Sequence, residues 1–161
     1  MPSAFFGRYR LLAIDGTVFN TADTVSNEAA FGRSSNQYGK GAYPQVRCVL
    51  LAECGSHAVV NLQISRYDVS EVHGAHHFLD ELGPDTLVLV DAGITSGGFL
   101  EHARQRGTHV LGALEAGVWE HLEHQRRLAD GSVLAWVPPT RPGQAHYRVQ
   151  QACGCGSFPT R

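Results

Sequence analysis

The stretch LLAIDGT, residues 11–17, and the stretch TLVLVDAG, residues 86–93, decide the fold predicted for this chain. Each stretch is an apolar run that reaches an aspartate, Asp15 in the first and Asp91 in the second. In α/β sheets, ligands and catalytic groups collect at the carboxyl ends of strands. Two carboxylates side by side at that edge offer the oxygen ligands that a divalent cation such as Mg²⁺ prefers. The pair therefore predicts a metal site between two strands.

The composition indicates one globular domain with a core, because 43% of the 161 residues are hydrophobic. No apolar run approaches the roughly 18 residues that span a bilayer. Residues 1–10 lack the apolar centre of a signal peptide. The net charge of −2 gives no electrostatic indication of a nucleic-acid partner. We expect a cytoplasmic protein with no membrane partner.

Hydrophobic periodicity and turn residues predict antiparallel strands in the first part of the chain and alternating strands and helices in the later part. Such an order predicts a mixed sheet with helices packed on it. The predicted elements are a strand over 10–19, a long loop over 20–44, hairpin strands over 45–53 and 58–66, a helix capped by Ser70 and closed by Gly83, a strand over 86–90, a helix capped by Thr95 or Ser96 and ended by Gly107, a strand over 108–114, a helix over 120–128 and a strand over 131–138.

Five short motifs follow one another in a fixed order: DGT at 15–17, AFGR at 30–33, YPQVR at 43–47, LVLVDAG at 87–93 and LADGS at 128–132. The ordered set resembles the DDE transposases of bacterial insertion sequences, in the group named after insertion sequence four, over about residues 10–140. The resemblance implies an α/β fold class: a ribonuclease-H-like mixed sheet with flanking helices and a partial β-rich insertion. It implies a partial catalytic domain over 1–140 and an irregular tail over 141–161.

The same resemblance implies a chemistry. In this family three acids bind two Mg²⁺ or Mn²⁺ ions, which activate water or a DNA 3′-hydroxyl for attack on a phosphodiester. By resemblance, Asp15 and Asp91 are the first two of these acids, and both are catalytic metal ligands. The implied function is cut-and-paste DNA transposition, with metal-dependent cleavage and strand transfer. The implied partner is transposon-end DNA, and a homodimer is a further expectation.

The third acid is where the chain departs from the family pattern. The family glutamate lies in a downstream signature, Tyr-x-x-Arg-x-x-x-Glu-x-x-x-x-x-x-Lys, whereas this sequence has no Asp or Glu after Asp130. The region that the family has before its first acid is missing as well. We therefore expect an incomplete chain with a truncated or frameshifted tail and weak or no catalysis of its own. The alternative is a non-catalytic DNA-binding remnant, so whether the chain is an enzyme stays open.

Residues 15–19 also resemble the haloacid-dehalogenase-like phosphatases, which use Asp-x-Asp-Gly-Thr. Ala13 stands where those enzymes have their nucleophilic aspartate, and an alanine cannot attack phosphorus. A phosphatase is therefore the weaker alternative.

Three cationic residues lie in or beside the predicted loop: Arg33, Lys40 and Arg47. They are candidates for contacts with DNA phosphates, and a solvated loop explains them equally well. Asp23 is a candidate for a loop cap or for assistance to the metal site.

The remaining candidates for metal binding are weaker. His73, His76 and His77 share a predicted helix and favour exposed or partly buried positions over a metal site. The Cys-x-Cys at 153–155 lacks the spacing of common zinc sites. Cys48 and Cys54 lie on one apolar stretch and are predicted to be core thiols. The Asp-Gly at 130–131 predicts a hairpin turn.

Overall fold

The structure is a computed structural model that describes residues 4–37, 39–114, 123–137 and 153–154. Its elements in chain order are β1 (Phe5–Phe6), β2 (Tyr9–Asn20), α1 (Val25–Phe31), β3 (Arg33–Asn36), β4 (Gly39–Glu53), β5 (Val59–Arg66), α2 (Glu71–Leu79), β6 (Thr86–Val90), α3 (Gly97–Arg106), β7 (His109–Gly112), β8 (Glu123–Arg127), β9 (Val133–Val137) and β10 (Cys153–Gly154).

The main sheet is mixed, as the sequence predicted. Its central strands lie in the order β5-β4-β2-β6-β7, while β1 and β3 extend it as partners of β2 and β4. β4 runs antiparallel to both β2 and β5, whereas β6 runs parallel to β2 and to β7. The α/β fold class is therefore confirmed, with the antiparallel hairpin first and the parallel strand-helix-strand units after it, as expected for the ribonuclease-H-like arrangement.

The helices α2 and α3 pack on one face of this sheet. Strand residues alternate between faces, so Leu12 and Ile14 of β2 enter the core while their neighbours face away. Phe78 of α2 and Phe99 of α3 are completely buried in the same core cluster. The opposite face leaves several large apolar side chains exposed: Phe19, Leu62, Ile64 and Leu111. A cleft at the carboxyl edge of the parallel strands opens on that exposed face.

The predicted caps of both helices are confirmed. The Ser70 hydroxyl accepts from the Val72 amide at 3.3 Å, and the Ser96 hydroxyl accepts from the Phe99 amide at 3.2 Å. Gly107 ends α3 in the left-handed conformation, at φ 74°. However, α2 ends at Leu79, before the predicted stop at Gly83.

The predicted long loop over 20–44 is wrong, because this segment forms α1, β3 and the first part of β4. α1 buries none of its residues, so it lacks the apolar periodicity by which helices are recognised. Instead, the hydroxyl of Thr24 caps its first turn by accepting from the Asn27 amide. Arg33 fastens the helix to the sheet through ion pairs with Asp23 and Glu28.

The predicted helix over 120–128 is also wrong where the structure describes it. Glu123–Arg127 is a strand, β8, that pairs antiparallel with β9. The turn between them lies at Asp130 and Gly131, where Gly131 has φ 86°, so the predicted hairpin turn is confirmed. The side chain of Asp130 accepts from the Ser132 hydroxyl and amide, which holds the pKa of Asp130 below its usual value.

The predicted tail over 141–161 lies outside the described residues, apart from Cys153–Gly154. Those two residues form β10, which pairs with β9 and makes the second sheet three-stranded and antiparallel. This small sheet is a β-rich addition to the main sheet.

Cys48 is buried as predicted, while Cys54 is half-buried and burial raises the pKa of its thiol. Among the described helices, none has the length and apolarity required to cross a bilayer.

The contact between α2 and β4 generates a stability prediction. A Cβ on Gly74 would lie 2.8 Å from Cγ2 of Val49, so Gly74→Ala should overpack this contact and lower the free energy of unfolding by about 1–3 kcal/mol. Gly83→Ala is the matched control, because a Cβ there meets nothing within 4 Å. Urea denaturation measures both variants. Equal stability of the two would contradict the close packing of α2 on the sheet.

Candidate metal centre

The parallel pairing of β2 with β6 brings Asp15 and Asp91 together. Ala13 of β2 pairs with Leu89 of β6; Asp15 lies two residues further along β2, and Asp91 directly follows the last residue of β6, Val90. Side chains alternate along β2 and Ile14 enters the core, so Asp15 faces away from the helices, whereas Asp91 lies beyond the last residue of β6 and its carboxylate is positioned by the turn that follows. Neighbouring strands lie about 4.8 Å apart, so the two side chains occupy adjacent positions at the sheet edge.

Asp15 lies inside β2, as the strand predicted over 10–19 has it, and not at the carboxyl end of that strand. β2 continues to Asn20 because it remains paired with β4, with Asp15 opposite Leu50. β6 ends here, at Val90, so Asp91 leaves the sheet beside a strand that continues. The departure of β6 opens the edge of the sheet next to Asp15.

A cavity of about 510 Å³ lies at this opening. Its lining comes from the middle of β2 and from the carboxyl ends of β6 and β7 with the residue after each, namely Ala13, Ile14, Asp15, Leu89, Val90, Asp91, Leu111, Gly112 and Ala113. Of the described residues that line it, only the two aspartates carry charge. A pair of carboxylates on an apolar floor offers hard oxygen donors and no sulfur or imidazole, which suits Mg²⁺ or Mn²⁺ better than zinc. The donor set therefore fits the cation that the sequence predicted.

The turn after β6 fixes the Asp91 carboxylate. Its Oδ1 accepts from the Ile94 amide at 3.0 Å, and the Thr95 hydroxyl donates to the Asp91 carbonyl at 2.7 Å. The turn hydrogen bond uses one carboxylate oxygen. Asp15 is fixed more simply, with Oδ1 accepting from the Gly16 amide at 2.8 Å. Both aspartates are exposed to solvent.

A third carboxylate, that of Glu71, lies beside the two strand ends and was missed by the sequence analysis. A Cβ on Gly16 would collide with Oε2 of Glu71, and a Cβ on Gly93 would lie 3.1 Å from its Oε1. That same point at Gly93 lies 3.5 and 3.6 Å from the two oxygens of Asp91. The Glu71 carboxylate therefore touches both acid-bearing segments, Asp15-Gly16 and Asp91-Ala92-Gly93.

The topology explains why Glu71 reaches this place. β5 runs parallel to β2, since both are antiparallel to β4, so β5 also ends at the carboxyl edge of the sheet. α2 starts at that edge with Glu71 in its first turn. The signal in the sequence was topological: a helix that follows a strand parallel to β2 must begin next to Asp15.

The three acids approach the edge from different sides. Asp15 lies on the face opposite the helices, whereas Glu71 comes from the helix side. Within the described part of the chain, no three His, Cys, Asp or Glu side chains are arranged to hold a metal as they stand. The described side chains thus provide a two-carboxylate site with a third carboxylate at its border.

Arg47 and Arg33 both make contacts within the protein. Arg47 lies 3.7 Å from Oε2 of Glu71 and donates to the Tyr67 carbonyl. Arg33 has only 12% of its side chain exposed and binds Asp23, Glu28 and two backbone carbonyls. These contacts lower the pKa of Glu28 and raise that of Arg33.

Lys40 differs from the two arginines, because 75% of its side chain is exposed and its ammonium pairs with Glu28 at 3.3 Å. Asp23 makes an ion pair with Arg33, and it is not among the residues that line the cavity.

The helix histidines do not join the centre. His76 is buried, contrary to expectation, because α3 covers it; its Nδ1 lies 3.0 Å from Nδ1 of His102. His102 in turn lies 3.1 Å from the Asp80 carboxylate, forming a polar chain between the helices. His73 and His77 contact each other edge to face.

Comparison with known proteins identifies the class. A family model described as the transposase DDE domain matches residues 6–148, so the chain belongs to the transposase DDE domain family. The predicted resemblance to transposases of bacterial insertion sequences is confirmed.

Two relatives come from Escherichia coli K12. The chain is 33% identical to the transposase InsG of insertion sequence element IS4 over 124 residues, which are 77% of this chain and 28% of that protein. It is 31% identical to the putative transposase InsZ over 99 residues, which are 61% of this chain and 33% of that protein. The chain therefore spans about a third or less of the length of either relative. A piggyBac transposase in a synaptic complex with hairpin DNA has a TM-score of 0.47 at 13% identity, covering 86% of this chain and 31% of that chain.

The turn at Asp91 generates a prediction that separates the role of the Asp91 side chain as a hydrogen-bond acceptor from the role of its charge. Asp91→Ala removes the acceptor of the Ile94 amide and should lower the free energy of unfolding by about 1 kcal/mol, as the loss of a helix cap does. Asp91→Asn keeps an acceptor oxygen and should change it by less than about 0.5 kcal/mol. Thermal and urea unfolding without divalent cations test this. A loss in Asp91→Asn as large as in Asp91→Ala would refute the turn role.

Proposed function

We propose that this chain is the cation-binding part of a DNA transposase catalytic domain, with Asp15 and Asp91 as metal ligands. The observation that supports it is the parallel pairing of β2 with β6, which brings Asp15 and the residue after β6, Asp91, to the lining of one cavity. Membership of the transposase DDE domain family gives that pair its chemistry. In this role, the proposed partner is transposon-end DNA, and the compartment is the cytoplasm, where bacterial DNA lies. A homodimer stays a prediction.

The residues of the centre divide the work between binding and positioning. Asp15 and Asp91 supply carboxylate oxygens to Mg²⁺ or Mn²⁺, and the turn at Ile94 keeps Asp91 aimed at the cleft. A bound divalent cation supplies charge stabilisation at a phosphodiester and lowers the pKa of water. Ala13, Leu89 and Leu111 form an apolar floor beside the two solvent-exposed carboxylates. Ala13 offers a methyl group where a phosphatase of the dehalogenase type needs its nucleophile.

For the contact with DNA, the proposal rests on Lys40 more than on the two arginines. Lys40 extends its ammonium into solvent beside a single carboxylate, so a phosphate can compete for it. Arg33 and Arg47 are already fixed by carboxylates and backbone carbonyls. Their contacts favour structural roles, in α1 for Arg33 and beside Glu71 for Arg47.

The alternative function is DNA binding without cleavage. It is favoured by one observation: the described lining of the cavity offers two carboxylates, and no third metal-binding side chain of the described residues is grouped with them. Both functions share the fold and the aspartate pair, so they differ only in whether a cleavage product forms.

Cation binding tests the aspartate pair directly. Electron paramagnetic resonance of free Mn²⁺ should show one or more ions bound to the chain, with affinity reduced at least about tenfold in Asp15→Asn and in Asp91→Asn. Asp85→Asn is the control, since Asp85 is an exposed acid that precedes β6 at the other end of that strand. Unchanged Mn²⁺ affinity in both aspartate variants would remove the proposed function.

Plasmid nicking separates the two functions. With Mg²⁺, the transposase proposal expects slow nicking of supercoiled plasmid by the wild-type chain and none by Asp15→Asn. The alternative expects a gel shift of DNA by both proteins and nicking by neither. Equal nicking by both proteins would identify a contaminating nuclease.

A further inference from the structure

Thr95 lies behind the turn that carries Asp91, and its side chain is buried where the carboxylate of Asp91 is exposed. We propose that Thr95 is a positioning residue of the cation centre: its hydroxyl fixes the main chain of Asp91 and thereby the direction in which the Asp91 carboxylate points. The inference rests on the proposed function, because it needs Asp91 to bind the cation. It adds a residue that acts through Asp91 and not by binding the cation itself.

The first argument is that the turn is closed at both the side chain and the main chain of Asp91. Oδ1 of Asp91 accepts from the Ile94 amide at 3.0 Å. The Asp91 carbonyl accepts from the Thr95 amide at 3.2 Å and from the Thr95 hydroxyl at 2.7 Å, so the hydroxyl bond is the shortest of the three. Oδ2 of Asp91 takes no part in these bonds. The turn therefore holds the residue by two of its oxygens and leaves the third for a cation.

The second argument is the burial of the Thr95 hydroxyl bond. Only 5% of Thr95 is exposed, whereas Asp91 is exposed to solvent. A hydrogen bond in a buried, low-dielectric place is electrostatically stronger than one in water, and a buried hydroxyl left without its acceptor costs free energy. Water competes for the Asp91 carboxylate but poorly for the Thr95 hydroxyl. The buried bond is therefore the fixed point about which the exposed part of the turn is oriented.

The third argument is the space that β7 leaves for Thr95. Gly112 of β7 pairs with Val90, the residue before Asp91. A Cβ on Gly112 would lie 2.7 Å from the Thr95 hydroxyl oxygen and 2.9 Å from the Val90 carbonyl oxygen. Gly112 does not have a positive φ, so its backbone does not demand glycine. The glycine instead leaves room for the Thr95 hydroxyl against the ends of β6 and β7, and Thr95 thus ties the turn to both strands.

The competing explanation is that Thr95 only stabilises the turn before α3 and has no influence on the cation. Both explanations predict a less stable protein when the hydroxyl is removed. They differ in the Mn²⁺ affinity of the protein while it is folded. A purely structural role leaves that affinity unchanged, whereas a positioning role lowers it, because the carboxylate of Asp91 then spends time in directions away from Asp15.

Two substitutions separate the hydroxyl of Thr95 from the shape of its side chain. Thr95→Val keeps the shape and removes the hydroxyl, whereas Thr95→Ser keeps the hydroxyl and removes a methyl group. Electron paramagnetic resonance measures the Mn²⁺ affinity of the full chain, without any need for activity. We expect affinity to fall about tenfold in Thr95→Val, as it does when groups that orient metal ligands are removed, and to stay close to that of the wild type in Thr95→Ser.

Thr108→Val is the matched control. Thr108 is buried to a similar extent, at 6% exposure, and it lies just before β7, at the opposite edge of the sheet from the cavity. Its hydroxyl has no hydrogen-bond partner among the residues that the structure describes. Removing that hydroxyl should therefore leave the Mn²⁺ affinity unchanged.

Each other outcome has a definite meaning. Wild-type affinity in Thr95→Val, with loss in Asp91→Asn, overturns the positioning role and leaves the proposed function standing. Unchanged affinity in both Asp15→Asn and Asp91→Asn overturns the proposed function itself. Equal losses in Thr95→Val and Thr95→Ser assign the effect to packing and overturn the inference. A loss in Thr108→Val as large as in Thr95→Val does the same.

A further variant guards against loss of folding in Thr95→Val, which places a methyl group against the Asp91 carbonyl. Thr95→Ala removes the hydroxyl without that contact, so a positioning role predicts weakened Mn²⁺ binding in this variant too. Wild-type affinity in a folded Thr95→Ala protein would overturn the inference. Circular dichroism and urea unfolding without cation establish that each variant is folded under the conditions of the Mn²⁺ titration.

Discussion

The pairing of β2 with β6 is the constraint on which the rest of the structure depends. A shift of one residue in that register would turn Val88 away from the core and move Asp91 from its place beside Asp15, because side chains alternate between faces. The register is fixed by burial: Leu12 and Ile14 on β2 and Val88 on β6 must all face α2 and α3. The hydrophobic core therefore places the two carboxylates, although neither of them contributes to it. Core packing and site geometry are two consequences of the same alternation.

The termination of neighbouring strands at different places makes a cleft from this edge. β6 and β7 end at Val90 and Gly112, while β2 continues beside β4 to Asn20. β2 therefore extends beyond β6 and β7 at this edge, and the cavity lies beside the extension, with Asp15 and Asp91 in its lining. Gly112 allows close packing at this edge, because a Cβ there would lie 2.7 Å from the Thr95 hydroxyl. That hydroxyl donates a hydrogen bond to the Asp91 carbonyl. Tight backbone packing behind the site thus holds the turn that aims Asp91.

An element could be predicted from the sequence where the interactions that form it are local, and could not where they depend on the whole fold. The strand over 86–90 and the caps at Ser70 and Ser96 could be predicted because burial and capping act locally. α1 could not, since it has no buried face and is held by ion pairs with Arg33, a partner that only the fold reveals. The position of Glu71 was not predicted for a related reason, because an acidic residue in the first turn of a helix is common. Its meaning depends on β5 being parallel to β2, which is a property of the whole sheet.

The position of these acids bears on whether a chain of this kind cleaves DNA. All three carboxylates at the edge come from residues 15–91, which is the part of the chain that forms the main sheet with α2. In the proposed centre, the two cation-binding carboxylates thus belong to the part of the chain that forms the main sheet. Cleavage asks for more, because both the attacking and the leaving oxygen of a phosphodiester must be stabilised in line. Cation binding and cleavage are thus separable physical properties. A site whose position is fixed by the hydrophobic core can bind a cation even where it cleaves DNA weakly.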